Sequence, residues 1–317
     1  MKPYIEKRYQ SEEDWVEARK GGIGGSDVGA VMGLSKWTSP LEVWLVKTGR
    51  AEPPDLSGNE KVEWGTRLEP LVAQKFAEMH PEYRVKRKNC TMVSKERPWA
   101  FANVDRELVC PDGSRGVLEI KTAGARSSGE WVFGPPDHYL AQIQHYLSVT
   151  HWDFAWCAVL IGGQEYREYM VERDESDIEA IDRAVDAFWN EYVLTDTIPE
   201  MTGNGGEGTA LAAMYPDPSE GYIPVEDCDL PELSESAELS REIKAMQERK
   251  RLLDNELKAR IGDSRGVESE STRCTWVRSA QRRFDQGRFR EEKPELYDEY
   301  SDEKPRDMGL RFSPAGD

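Results

Sequence analysis

The chain is expected to be an α/β protein, a mixed central β-sheet flanked by helices with a C-terminal helical extension. Two observations predict this class. The apolar period switches between helical and alternating along the chain, in the order helices, three strands, helix, two strands, helix. With 317 residues, the chain can also bury a full-sized core and still carry an appendage.

Residues 11–50 read as helices. Ser26 is placed to cap "DVGAVMGL", and Ser39-Pro40 shows the cap-then-proline pattern ahead of "LEVWLVKT", with Gly49 as its stop. Residues 51–59 form a loop, and "TRLEPLVAQKFAEMH" forms the next helix, with Thr66 as cap and Pro70 in its first turn. Three strands follow in "YRVKRKNCTMV", "WAFANVDRELV" and "GVLEIKTAG", the last two joined by a "PDGSRG" turn. A helix over 135–149 starts after Pro135-Pro136, and two strands joined by Gly162-Gly163 precede the amphipathic "ESDIEAIDRAVDAFWNEYVLT". The core is assigned to 1–200, a Gly-rich linker to 201–231, and a long charged helix with a tail to 232–317. In that helix Leu239, Ile243, Met246, Leu253, Leu257 and Ile261 form one stripe, read as a packing face.

Acidic residues outnumber basic ones 60 to 42, for a net charge of -18. This excludes a protein that coats DNA by neutralising phosphates over its whole surface. It leaves room for a DNA enzyme with one basic channel, for which Lys86, Arg87 and Lys88 are a candidate wall. The five cysteines are scattered without C-x-x-C spacing, which argues against zinc and iron–sulfur sites. "MKPYIEKRYQ" is too polar for a signal peptide and no apolar run suits a membrane, so a cytoplasmic location is expected.

Glu119-Ile120-Lys121 places a carboxylate and an ammonium on one face of a strand, because they are two residues apart. Two aspartates compete to complete a metal site. Asp112 lies in a Pro-Asp-Gly turn and is best read as turn chemistry. Asp105 lies in the preceding strand, and a hairpin with its tip at 111–115 folds it back toward Glu119 and Lys121. Two buried carboxylates need a compensating cation. Mg²⁺ held by Asp105, Glu119 and the Ile120 carbonyl would supply it, with Lys121 orienting water. E-x-K alone is more often a surface salt bridge, and three further features tip the balance. Glu69 offers another carboxylate, Gln142 and Gln144 interrupt an apolar helix, and Arg19, glycines and Ser26 gather at a helix start suited to an anion.

The ordered blocks "GIGGSDVGAVMGLSKWTSPLEVWLVKTG", "WGTRLEPLVAQKFAE", "NVD…LEIK" and "YLAQIQHYL" resemble the YqaJ-type viral recombinases, relatives of phage lambda exonuclease among the PD-(D/E)xK nucleases. The resemblance spans roughly 14–190. It implies a restriction-endonuclease-like core and a 5′→3′ exonuclease on linear duplex DNA that releases 5′-mononucleotides. The product would be a 3′ single strand for phage-type recombination. Implied partners are double-stranded DNA ends, a phage single-strand annealing protein and two further copies of the chain in a toroidal homotrimer. The implied cofactor is Mg²⁺, as one or two ions, with Mn²⁺ expected to substitute. Asp105, Glu119, the Ile120 carbonyl and Glu69 would hold metal, Lys121 and Gln142 would act in catalysis, and Tyr139 would support the site. Arg19 and Ser26 match the 5′-phosphate pocket, and Arg126 the basic residue beyond the lysine. The motif's proline is Val104 here. A RecB- or Cas4-like nuclease of other polarity and a non-catalytic DNA-end-binding scaffold are the competing readings.

Overall fold

Residues 2–216, 221–223, 230–280, 282–301 and 308–312 are described by a computed structural model of the chain. Contacts divide it into two units, Met1–Met214 and Tyr215–Asp317.

The first unit begins with β1 (Tyr4–Lys7), α1 (Glu12–Lys20), β2 (Ile23–Gly24) and α2 (Gly25–Val31). Ser26 does not cap α2. Gly24 holds the cap position, and the Asp27 carboxylate reaches back to the Gly24 N–H at 3.0 Å. A shorter connection than the sequence suggests therefore puts Ser26 inside the first turn. Next, α3 (Pro40–Lys47) is capped as expected, with Ser39 and Glu42 exchanging a capping box and Gly49 following at φ 72°.

The next helix, α4 (Glu60–Met79), starts six residues earlier than Thr66, because Asn59 caps it through the Lys61 N–H. Pro70 and Glu69 consequently lie in its interior and not in its first turn. An N–H is missing at Pro70, and the helix absorbs the loss by packing Val72, Ala73 and Phe76 into the core.

The expected mixed sheet flanked by helices is present, and a second sheet stands beside it in this unit. In this second sheet, of four strands, β4 (Thr91–Ser94) and β5 (Ala100–Ala102) join β1 and β2 in the order β1-β4-β5-β2. In the expected sheet, of five strands, β3 (Arg84–Arg87), β6 (Arg106–Val109), β7 (Arg115–Ala123), β8 (Phe154–Ile161) and β9 (Glu165–Glu172) run in that order. The run "WAFANVDRELV" is thus not one strand. It breaks at 103–105, where the chain leaves the four-stranded sheet and enters the five-stranded one. The β7–β8 pair is parallel, and α5 (Asp137–Thr150) makes the crossover that a parallel pair requires. Ala141 to Thr150 of α5 are all buried, so this helix forms the centre of the unit.

After α6 (Glu175–Ala187) comes a π-helical turn over Phe188–Val193. The segment expected to be a linker from 201 instead opens with α7 (Glu207–Met214). Buried Glu207 accepts from the N–H groups of Thr202 and Gly203, and Ala210, Leu211 and Met214 pack against the core.

In the second unit α8 (Pro231–Ile261) is followed by a hairpin of β10 (Gly266–Glu268) and β11 (Arg273–Thr275), then α9 (Gln286–Glu292) and α10 (Pro294–Glu299). Along α8, Leu239, Ile243, Met246, Leu253 and Leu257 are exposed, whereas Ile261 is buried. Among the described residues, no helix is long and apolar enough to cross a membrane. Cys90, Cys110, Cys157 and Cys274 are free thiols, and Cys228 lies outside the described residues.

Candidate active site

The β6–β7 hairpin builds the site. Its register pairs Arg106 with Leu118, so Asp105, one residue before β6, comes level with Glu119 and Ile120. The Asp105 Oδ2 accepts the Ile120 N–H at 2.8 Å. A strand residue's carbonyl points to the same edge as its N–H. Ile120 therefore directs its oxygen toward Asp105, beyond the end of β6. Asp112 stays at the hairpin tip, where its Oδ1 accepts from the Ser114 N–H and hydroxyl at 2.9 and 2.7 Å. Val104 is buried in the core cluster of β4, β5 and α5, an apolar anchor that fixes the position of its neighbour Asp105.

Glu119 is 3% exposed. Its Oε1 accepts from Lys121 Nζ at 2.6 Å and Gln142 Nε2 at 2.7 Å, whereas its Oε2 is buried with no partner. Lys121 Nζ also donates to Gln142 Oε1 at 3.2 Å and lies 4.4 Å from the Tyr139 ring centre. Gln142 donates in turn to the Tyr146 hydroxyl at 3.0 Å. Tyr139, Gln142 and Tyr146 lie at i, i+3 and i+7 of α5, which is one helix face. That spacing could have revealed Tyr146, which sequence reasoning missed.

The charges explain the titration of the site. Burial, and next the Glu119 charge, raise the Asp105 carboxyl well above the usual carboxylate range. Burial alone would lower the Lys121 ammonium, but Glu119 and Asp105 override it and hold it above the usual lysine range. Two carboxylates thus face one ammonium. An orphaned carboxylate oxygen, a second carboxylate and an outward carbonyl are donors that a hard divalent cation would satisfy.

Glu69, expected to help hold the metal or its water, stands beside the cluster, where its charge adds to the rise at Asp105. Its Oε1 accepts from Arg106 Nη1 at 2.5 Å, and the same nitrogen donates to the Asp105 carbonyl at 2.7 Å. Glu69 therefore reaches the site through Arg106. Among the described residues, no three His, Cys, Asp or Glu side chains converge as a metal cage.

Arg19 and Ser26 are brought together as expected, with Arg19 Nη2 donating to the Ser26 hydroxyl at 2.8 Å. Trp15 stacks on the Arg19 guanidinium at 5.0 Å, and Lys47 Nζ ties the Arg19 carbonyl to Asp27 at 2.9 and 2.8 Å. Gly25 connects this pair to the carboxylates. A Cβ added there would lie 2.4 Å from Tyr146 Cε1 and 2.8 Å from Gln142 Cγ, so α2 and α5 touch through the missing side chain.

The structure does not join Arg126 to the group. It is exposed in a 3₁₀ turn, Ala125–Trp131. Gln144 is structural: it donates to the Glu172 carbonyl at 2.8 Å and accepts the Asp174 N–H at 3.2 Å. Of the candidate channel wall, Lys88 is committed to Glu6 at 2.9 Å and Glu107 at 3.5 Å, while Lys86 and Arg87 lie on the edge strand β3.

Residues 14–153 match the YqaJ-like viral recombinase domain. The uncharacterized YqaJ protein of Bacillus subtilis strain 168 is 31% identical over 297 residues, 92% of this chain and 92% of that one. The chain belongs to the YqaJ family. The YqaJ-like domain holds the whole constellation, from Arg19 through Tyr146, and the likeness to the Bacillus protein extends beyond it. Among solved structures, an alkaline exonuclease from Laribacter hongkongensis aligns at a TM-score of 0.49 and 22% identity, over 58% of this chain and 93% of that one. A phage related exonuclease from Haemophilus somnus 129PT aligns at 0.40 and 13%, over 55% and 95%.

Proposed function

We propose that this YqaJ-family chain is a divalent-metal-dependent exonuclease that degrades linear duplex DNA from the 5′ end. The observation that carries the reading is the buried Asp105–Glu119–Lys121–Gln142 cluster, linked through Gly25 to the Arg19–Ser26 pair.

Asp105, Glu119 and the Ile120 carbonyl are the groups that would hold the ion. Bound there, Mg²⁺ or Mn²⁺ supplies Lewis-acid polarisation of the scissile phosphate and a more acidic water. Gln142 fixes one Glu119 oxygen and leaves the other free. Lys121 puts a permanent positive charge where the attacked phosphate gains negative charge, and it orients the attacking water. Water oxygen bonds to phosphorus, the P–O3′ bond breaks, and the 3′ oxygen leaves with a proton as the first nucleotide's hydroxyl. That product is a 5′-mononucleotide, and the strand behind it carries a new 5′-phosphate. Arg19 and Ser26 suit this phosphate, since a guanidinium and a hydroxyl together match its oxygens. Each cut thus regenerates the group that the pocket holds, and the complementary strand is left as a 3′ overhang. Such an overhang is the substrate of a phage single-strand annealing protein, which we propose as the partner in recombination. A ring of three copies around the duplex is the assembly we propose.

Linear duplexes with and without a 5′-phosphate, incubated with the protein and Mg²⁺, test the reading. Mononucleotides released faster from phosphorylated ends, with Arg19→Ala erasing the difference, are expected. Oligonucleotide products or nicked circles would point to a RecB-like nuclease, and no metal-dependent cleavage to a DNA-end-binding scaffold.

A further inference from the structure

The second unit contains a local reversal of charge. Between Arg273 and Arg290 the chain has six arginines and one acidic residue, Asp285, within a protein of net charge -18. All six arginines are exposed. Aromatic side chains interleave with them: Arg278 stacks on Trp276 at 4.4 Å, Arg290 lies 5.4 Å from the Tyr297 ring, and Phe284 contacts Phe289 at 4.9 Å between centres.

The arginines divide by what holds them. Arg278 donates to the carbonyls of Gly262 and Ser264 at 2.7 and 2.5 Å, which pins the segment to the end of α8. Arg273 pairs with Glu268 across the β10–β11 hairpin, and Arg288 pairs with Glu292. Arg282 and Arg283 have no ion pair to any described residue. They precede α9, next to Phe284, which is 71% exposed.

We propose that Arg282, Arg283 and Phe284, flanked by Arg288 and Arg290, bind single-stranded DNA. Unpaired guanidiniums follow a phosphate backbone, and an exposed phenyl ring offers a stacking face to any base. An exposed ring beside unpaired guanidiniums favours an unpaired strand, whose bases are open to stacking, over a duplex, whose bases are already stacked. The choice of DNA as the polyanion rests on the exonuclease reading, whose product strand is single.

The test is fluorescence anisotropy of a labelled 5′-hydroxyl oligo-dT with the full chain in EDTA. The wild type is expected to bind with a steep salt dependence. In R282E/R283E affinity should fall at least tenfold, and the log–log salt slope should shrink by about 1.4, the share of two phosphate contacts on a single strand. F284A should lose about tenfold with its slope unchanged. R282K/R283K should keep the slope. A thermal melt checks folding, and R282Q/R283Q replaces the reversal variant if that one unfolds. Wild-type affinity in a folded R282E/R283E or R282Q/R283Q variant would overturn the proposal. So would competition by polyglutamate as strong as by dT at equal charge, which would assign the surface to acidic proteins. No divalent ion is present, so a chain that binds dT but cuts no DNA would sink the exonuclease reading alone.

Discussion

Replacing Lys121 by methionine separates a metal site from a structural ion pair. The substitution keeps the buried stem and removes the ammonium 2.6 Å from Glu119 Oε1. Glu119 is 3% exposed, so its charge is left without its cation. Breaking a buried pair this way costs roughly 3–5 kcal/mol. Asp105, already raised by burial and by Glu119, limits the loss by taking up a proton, which sets the value at about 3 kcal/mol. For a folding unit of this size that is a fall in Tm of about 6–12 °C without metal. Mg²⁺ should then stabilise the variant more than the wild type, because the competing ammonium is gone; at a hundred times its Kd it returns about 2.7 kcal/mol. Differential scanning fluorimetry with EDTA or Mg²⁺, paired with a cleavage assay, measures both effects. The expected variant is inactive, destabilised in EDTA and largely rescued in Mg²⁺. A variant as stable as wild type in EDTA, or one that Mg²⁺ leaves unshifted, refutes the metal assignment.

Gly25→Ala should lose about 1–3 kcal/mol, since Tyr146 and Gln142 are buried and cannot clear the new methyl. Displacing Gln142 from Glu119 should also cost about a hundredfold in kcat, so a stable variant of normal activity would contradict the geometry. Asp112→Ala should keep full cleavage and lose about 1 kcal/mol or less in urea denaturation, as it breaks one exposed turn. Burial and then Arg97 lower His145 from 6.5 to about 4, so the unfolded chain takes up the proton first. Stability, complete above 6.5, is therefore lost as pH falls toward 4, by about 2 kcal/mol between pH 7 and 5. Denaturation curves should show this slope in the wild type and not in His145→Gln.

The parts of the site read correctly from sequence are those set by local rules. The turn chemistry of Pro111-Asp112-Gly113 placed the hairpin tip, and the period of two put Glu119 and Lys121 on one face. Capping fixed α3 by the same logic. What escaped depended on contacts distant in sequence. Alternating residues cannot tell one sheet from two, so the change of sheet at 103–105 was invisible. The tie of Glu69 to the Asp105 carbonyl runs through the buried guanidinium of Arg106, thirty-seven positions away, a pairing that no local pattern announces. The glycines beside Ser26 read as part of an anion-binding helix start, and nothing local shows that Gly25 leaves room for the Tyr146 ring.

The change of sheet at 103–105 gives the site a mechanical dimension. Asp105 stands on the joint between two β-layers, and Glu119 stands within one of them. The ion proposed for the two carboxylates would be a rivet across that joint. The angle between the layers and the bite of the two ligands become one variable. If the chain binds the ion proposed above, substitutions deep under either sheet, far from any phosphate, would register as altered metal preference before they register as lost fold.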